Sequence, residues 1–223
     1  MAQQESSRQL RTRAKRIQDL LCRAYPDPKV ALESSNPLQL LVATILSAQC
    51  TDVRVNMVTP ALFKKYRTAR DFAQANQTEL EQDIKSTGFY RNKAKSIVSC
   101  CSSIIEKHGG KVPKTMGELV QLGGVGRKTA NCVLGGAFGI NSGVVVDTHV
   151  RRVSQRLGLA TSDDPEKIEV ELMTLIPQND WFRFGNMLIW HGRQVCDARK
   201  PKCVDCALAK HCPSAEAFVK KTG

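Results

Sequence analysis

The sequence predicts an all-α protein. Apolar residues recur at helical spacing through most of the chain, and helix-capping signatures stand where those runs begin. Only Val144–Val146 reads as strand, and it is too short to found a sheet. A first helix is expected near 10–24, ended by Pro26-Asp27-Pro28, which also marks a candidate domain junction. Asn36-Pro37 reads as an N-cap followed by proline at the first helical position. Behind it Leu38, Leu41, Val42, Ile45 and Leu46 keep helical spacing. Further helices are expected near 52–65, 70–75, 78–85 and 91–107. Thr115-x-x-Glu118 is a capping-box signature that opens a helix towards Leu122. Three glycines then precede the stripe Ala130, Val133, Leu134 and Ala137. Gly139–Gly143 is a second candidate junction, followed by helices near 148–158, 165–175 and 181–193.

The chain of 223 residues is 42% hydrophobic, enough for one large core or two small ones. Its formal charge of +12 suits a polyanionic partner. The charge is uneven: residues 1–29 and 191–223 each carry seven Lys/Arg against three acids, whereas 142–190 is mildly acidic. The two basic ends are expected to pack as one module. The N-terminus is basic without an apolar core, and no run approaches transmembrane length. A cytoplasmic, nucleoid-associated protein is therefore expected. Its nine cysteines read as reduced or metal-bound rather than disulfide-bonded.

The most informative segment is Leu122-Gly123-Gly124-Val125-Gly126-Arg127-Lys128. Glycines tolerate the positive φ of a tight turn between helices and let a phosphate approach backbone N–H groups. The helix that follows adds unpaired N–H donors and the positive end of its dipole. This is the pattern of a helix-hairpin-helix phosphate clamp. Lys128 lies in the first turn, where the dipole opposes its charge and favours the neutral amine that a nucleophile needs. Position alone leaves it open between nucleophile and phosphate contact. Asp147 reads as an N-cap, a role that does not exclude catalysis. A carboxylate held by backbone N–H groups can stabilise positive charge developing on a sugar or relay protons.

Cys196, Cys203, Cys206 and Cys212 form C-x6-C-x2-C-x5-C. Four thiolates at this spacing fit a metal centre, zinc or iron–sulfur, and the single C-x2-C unit favours a cubane cluster. Arg199, Lys200 and Lys202 lie inside the same loop, suited to phosphate. Cys22, Cys50, Cys100, Cys101 and Cys132 show no ligand spacing and read as small buried residues. Gln49 falls at a helix–helix corner, and Thr87-Gly88-Phe89-Tyr90 is a turn with two aromatics. On a DNA-binding face these could fill the gap left by a flipped nucleotide.

Taken together, LSAQCTD at 46–52, LGGVGRKTAN at 122–131, VDTHVRRV at 146–153 and the four-cysteine pattern resemble the endonuclease III family of helix-hairpin-helix DNA glycosylases. The resemblance runs from about residue 10 to 213. It implies two helical domains flanking a DNA-binding cleft. Residues 30–141 would form a six-helix barrel domain ending in the hairpin. Residues 1–29 and 142–223 would form a second domain with a [4Fe-4S] cluster on Cys196, Cys203, Cys206 and Cys212. It implies Lys128 as nucleophile and Asp147 as catalytic carboxylate. The DNA contacts would be Gln49, Phe89, Gly123, Gly124, Val125, Gly126, His149, Arg199, Lys200 and Lys202. The expected activity is removal of oxidised pyrimidines from duplex DNA, with strand cleavage by β-elimination, by a monomer.

Three departures stand out: glycine at 124 where the family carries proline, Phe89 where leucine is common, and Cys50 in place of a smaller residue. The extra glycine is expected to loosen the clamp. The alternatives are a monofunctional mismatch glycosylase and a DNA-binding cluster protein without strong catalysis. The lysine and the chain end at Gly223 speak against the first.

Overall fold

The computed structural model describes residues 5–219, so Lys220 and Lys221 of the basic C-terminal end lie outside the described residues. The helices are α1 (Ser7–Ala24), α2 (Pro37–Leu46), α3 (Asp52–Lys65), α4 (Ala69–Ala73), α5 (Gln77–Asp83) and α6 (Tyr90–His108). They continue as α7 (Met116–Leu119), α8 (Arg127–Phe138), α9 (Thr148–Arg156), α10 (Pro165–Leu175), α11 (Trp181–Gln194) and α12 (Ala215–Val219). Short 3-10 turns lie at Lys85–Thr87, Gln178–Asp180 and Ala209–His211. No strand occurs among the described residues. None of their helices is long and apolar enough to cross a membrane.

Side-chain caps set most of the helix starts. Asn36 accepts from the Gln39 N–H, and Pro37 follows it as expected. Asp164 caps α10 ahead of Pro165 in the same way. At α1 the helix begins earlier than the apolar stripe suggests, because Ser6 and Gln9 form a reciprocal capping box. At α7 the expected box is incomplete: the Thr115 hydroxyl accepts from the Glu118 N–H but donates to the Glu118 carboxylate at 2.6 Å. The result is one helical turn ending at Leu119.

The chain divides into two compact units, with the boundaries at Lys29/Val30 and Ile140/Asn141. In the Val30–Ile140 unit α2 is central. Seven consecutive residues, Leu40–Leu46, are buried, against α8, α3 and α6. A helix buried all round follows from an apolar sequence with no polar stripe. Thr44 satisfies its hydroxyl on the Leu40 carbonyl at 2.7 Å and meets the Cys132 sulfur of α8 at 3.7 Å. α6 packs on α4 and α5, and α7 packs on α8.

In the other unit, Ala14, Ile17 and Leu21 of α1 share a core with Val150 and Val153 of α9, Ile168 and Leu172 of α10, and Phe184, Met187 and Leu188 of α11. The Val144–Val146 run is buried without becoming a strand. α11 passes over it at Gly185, where a Cβ would lie 3.3 Å from the Val145 nitrogen. The apolar run therefore serves as core filler under a helix. Cys100, Cys101 and Cys132 are buried as expected, whereas Cys22 and Cys50 are half-buried. Burial pushes the Cys100 thiol up to about 12, which leaves it inert.

Candidate active site

The glycine hairpin lies between α7 and α8, and its three glycines differ in role. Gly124 has φ +73°, the left-handed region. Gly126 is the N-cap of α8 and supplies no side-chain cap. The first N–H groups of α8 thus have no capping side chain in front of them, the condition for an anion to be held there. Val125 is buried beneath the turn and its N–H donates to the Leu122 carbonyl at 3.1 Å.

This geometry corrects one expectation. Proline holds φ near −65° and cannot stand at a position with φ +73°. At Gly123, whose φ is not positive, the backbone itself does not exclude proline, and the neighbouring α6 side chains set what fits there. At Gly123 a Cβ would lie 2.7 Å from the Ser99 hydroxyl and 3.2 Å from the Cys100 nitrogen. At Gly124 it would lie 2.6 Å from the Ser96 Cβ. The hairpin is therefore seated directly on α6, and the double glycine fits that close approach rather than loosening it. Gly124→Ala combines a clash with a left-handed backbone. It is expected to destabilise by about 1–3 kcal/mol, lowering Tm by several degrees in a thermal melt; an unchanged Tm would contradict the seating.

Lys128 is the second residue of α8 and is exposed, not partly buried. In the other unit, Asp147 is the N-cap of α9: one carboxylate oxygen accepts from the His149 and Val150 N–H groups, both at 2.8 Å. The expected cap is thus present, and it leaves the second oxygen outside that pair of bonds. His149 is half-buried, with Nδ1 3.1 Å from the Arg152 guanidinium. Burial lowers its pKa, with Asp147 opposing and Arg152 and Arg193 adding to the effect. α11 crosses here at Gly192, where a Cβ would fall 3.0 Å from that of His149.

Gln49 and Phe89 share an unusual property. They are the non-glycine residues with positive φ among those described, at 52° and 47°. Each left-handed residue of this kind costs about 1 kcal/mol or more. Both side chains are exposed, Phe89 to 64%. An exposed phenylalanine on a strained corner at a helix start is a poor choice for stability alone.

Cys196, Cys203, Cys206 and Cys212 line one cavity, walled by Val153, Leu157, Leu208 and Ala215. No three His, Cys, Asp or Glu side chains among the described residues converge on the point a single ion would occupy. Sequence reasoning missed two neighbours. Arg156 of α9 donates to the Cys196 sulfur at 3.4 Å and to the Asp197 and Ala198 carbonyls at 2.6 and 2.7 Å. His191 of α11, buried, stands between the Tyr25 hydroxyl at 3.3 Å and the Cys206 sulfur at 3.6 Å. Neither has a local sequence signal, since each reaches the cysteines across a helix packing. Asp197 folds the basic loop by accepting from the Arg199 and Lys200 N–H groups, and Arg199, Lys200 and Lys202 are exposed.

The chain is similar to known proteins in sequence and in fold. The pattern of the HhH-GPD superfamily of base excision DNA repair proteins matches residues 42–178. Endonuclease III of Synechocystis sp. is 57% identical, over 92% of this chain and 94% of that protein. Among solved structures, a non-covalent endonuclease III–DNA complex aligns with a TM-score of 0.90 at 43% identity, over 94% of this chain and 98% of that one. A trapped endonuclease III–DNA covalent intermediate aligns at 0.88 and 44% identity, over 92% and 98% of the two chains. The chain belongs to the HhH-GPD superfamily of base excision DNA repair proteins, within its endonuclease III family.

Proposed function

We propose that the protein is a bifunctional DNA glycosylase and abasic-site lyase that removes oxidised pyrimidines from duplex DNA. The observation that carries this is the exposed Lys128 amine, one residue past the start of a helix entered through a glycine hairpin. A trapped covalent complex of a protein 44% identical fits the same chemistry. The hairpin and Lys128 belong to the Val30–Ile140 unit, and Asp147 and the cysteine loop belong to the other.

The steps follow from the groups present. The hairpin N–H groups and the N-terminus of α8 hold a phosphate, and Gln49 and Phe89 enter the stack vacated by the flipped nucleotide. The Lys128 nitrogen forms a bond to C1′ of the sugar while the bond from C1′ to the base breaks, and the base leaves with a proton. Asp147 is the carboxylate assigned to offset the positive charge that develops on the sugar. Ring opening gives a Schiff base between Lys128 and C1′. Loss of a C2′ proton then expels the 3′ phosphate, and water hydrolyses the Schiff base to release the enzyme.

The cysteine loop fits a [4Fe-4S] cluster. Four thiols line one apolar-walled cavity, and the single C-x2-C unit in their spacing favours a cubane. Cys196, Cys203, Cys206 and Cys212 would hold the cluster, with Arg156 and His191 beside the sulfurs. When bound, it supplies fixed charge and bracing to a loop that presents Arg199, Lys200 and Lys202 to phosphate.

Borohydride reduction in the presence of an abasic duplex and a thymine glycol duplex tests the reading. A covalent protein–DNA adduct is expected on both; failure to trap with cluster-intact protein would remove the lyase assignment. Asp147→Asn separates cap from charge. Asparagine caps as well as aspartate, so the melting temperature is expected to hold while excision falls about a hundredfold or more for the lost charge stabilisation. Equal activity of the two would leave Asp147 with capping alone.

A further inference from the structure

The corners that carry Gln49 and Phe89 are far apart in sequence, yet one side chain reaches both. Lys93 lies in the first turn of α6 and is only 5% exposed. Side chains on a helix lean towards its N-terminus, and Lys93 runs back beneath the Phe89 turn. Its Nζ donates to the Leu46 carbonyl at 2.8 Å and to the Thr87 carbonyl at 2.7 Å. Leu46 is the last residue of α2, and Thr87 closes the 3-10 turn. Both are chain ends where helical carbonyls lack an intrahelical donor. Gln49 follows Leu46 by three residues, and Phe89 follows Thr87 by two. These are the two left-handed, exposed, non-glycine positions of the described chain.

We propose that Lys93 is a positioning residue that fixes the spacing of the Gln49 and Phe89 loops, so that the two side chains enter the DNA stack as one unit. The proposal rests on the reading of Gln49 and Phe89 as the residues that fill the vacated position. A buried lysine is a poor way to hold a core together, because burial disfavours its charge. Hydrogen bonds to two carbonyls at loop roots give it a use that an apolar residue could not replace. Burial also lowers its pKa, with the neighbouring Cys50 thiol opposing. Even the neutral amine keeps two N–H donors, enough for the two carbonyls.

Lys93→Met keeps the stem and removes both bonds. The variant is compared with wild type, Phe89→Ala, Gln49→Ala and the Lys93→Met/Phe89→Ala double variant. Three readouts are used: lyase activity on a single-stranded abasic oligonucleotide, single-turnover excision from a thymine glycol duplex, and fluorescence of 2-aminopurine placed opposite the lesion. Single-strand lyase needs no stack filling and is expected to stay within about twofold, whereas duplex excision falls about tenfold to a hundredfold, as for a small misplacement of binding groups. The fluorescence rise on binding is expected to shrink. The double variant is expected to fall little below Phe89→Ala, because the two residues act through one element.

A folded Lys93→Met enzyme with wild-type duplex excision and fluorescence would overturn the proposal. So would equal losses on single and double strands, or fully multiplicative losses with Phe89→Ala. Wild-type behaviour of both Phe89→Ala and Gln49→Ala would instead overturn the stack-filling reading beneath it. Should Lys93→Met not fold, amide exchange in the wild-type protein decides. A single opening free energy shared by residues 47–51 and 86–90 supports the coupling, and independent opening of the two loops overturns it.

Discussion

Lys128→Ala is expected to abolish the borohydride-trapped adduct and to cut excision of thymine glycol on the order of 10⁴-fold or more, the scale seen when a nucleophile is removed. The fold is expected to survive. Lys128 is exposed on the second residue of α8, and substitutions at such positions change stability by about 0.5 kcal/mol at most. Alanine is the better helix former, and removing a positive charge from a helix N-terminus relieves an unfavourable dipole interaction. Binding of an abasic duplex should weaken only by the loss of one cation near phosphate, roughly one unit of the salt slope. Chemistry and binding therefore separate in one variant. An adduct that persists at the wild-type level in Lys128→Ala would mean that another amine attacks, and the assignment would move to it.

What could be read from sequence was mostly local. Asn36-Pro37 and Asp147 each end a chain direction with a side-chain acceptor, and the helices begin there in the structure. Such caps act over three residues, so their signal is complete in the sequence. The cysteine pattern is local in the same sense: Cys196–Cys212 lines one cavity as the spacing implies. The failures have a common cause in packing. Three glycines in five residues look equivalent until Ser96 and Ser99 of α6 decide which may lack a Cβ and which turns left-handed. Lys93 stands in the basic run Arg91-Asn92-Lys93-Ala94-Lys95, which carries no local signal of burial. Its burial depends on the Leu46 carbonyl, 47 residues away. Arg156 and His191 reach the cysteines from α9 and α11, helices whose periodicity explains them as ordinary members. Residues proposed for chemistry stand out by their type, whereas those that hold them do not, because holding is a relation between distant residues.

The cysteine loop supplies the second large effect. Between Cys196 and Cys212 only Leu208 is fully buried, so the loop has almost no apolar core of its own. Its start is pinned: Arg152 donates to the Cys196 carbonyl at 3.1 Å, and Arg156 holds the Asp197 and Ala198 carbonyls. Beyond Lys202 the backbone bonds are short-range turns, such as Cys206 N–H to Cys203 and Ala209 N–H to Cys206. Ordering such a segment costs about 1–2 kcal/mol per residue in backbone entropy, more than one buried leucine offsets. Towards its end Arg13 donates to the His211 carbonyl at 3.1 Å and the Cys212 thiol to the Arg156 carbonyl at 3.2 Å, and the proposed cluster would add four further ties. Protein purified without oxygen is expected to carry iron and sulfide near four each per chain, as a cubane on four thiolates requires. Cys206→Ala should lose the cluster and melt about 10 °C lower, since a structural metal site contributes several kcal/mol and each shifts Tm by about 2–4 °C in a chain of this size. With the loop loosened, Arg199, Lys200 and Lys202 no longer present a fixed cationic edge. The salt slope for duplex binding is expected to drop by about two to three units, near 0.9 per phosphate contact. An unchanged slope in the cluster-free variant would show that these residues do not touch the DNA. One zinc in place of iron would refute the cluster while leaving the bracing role intact.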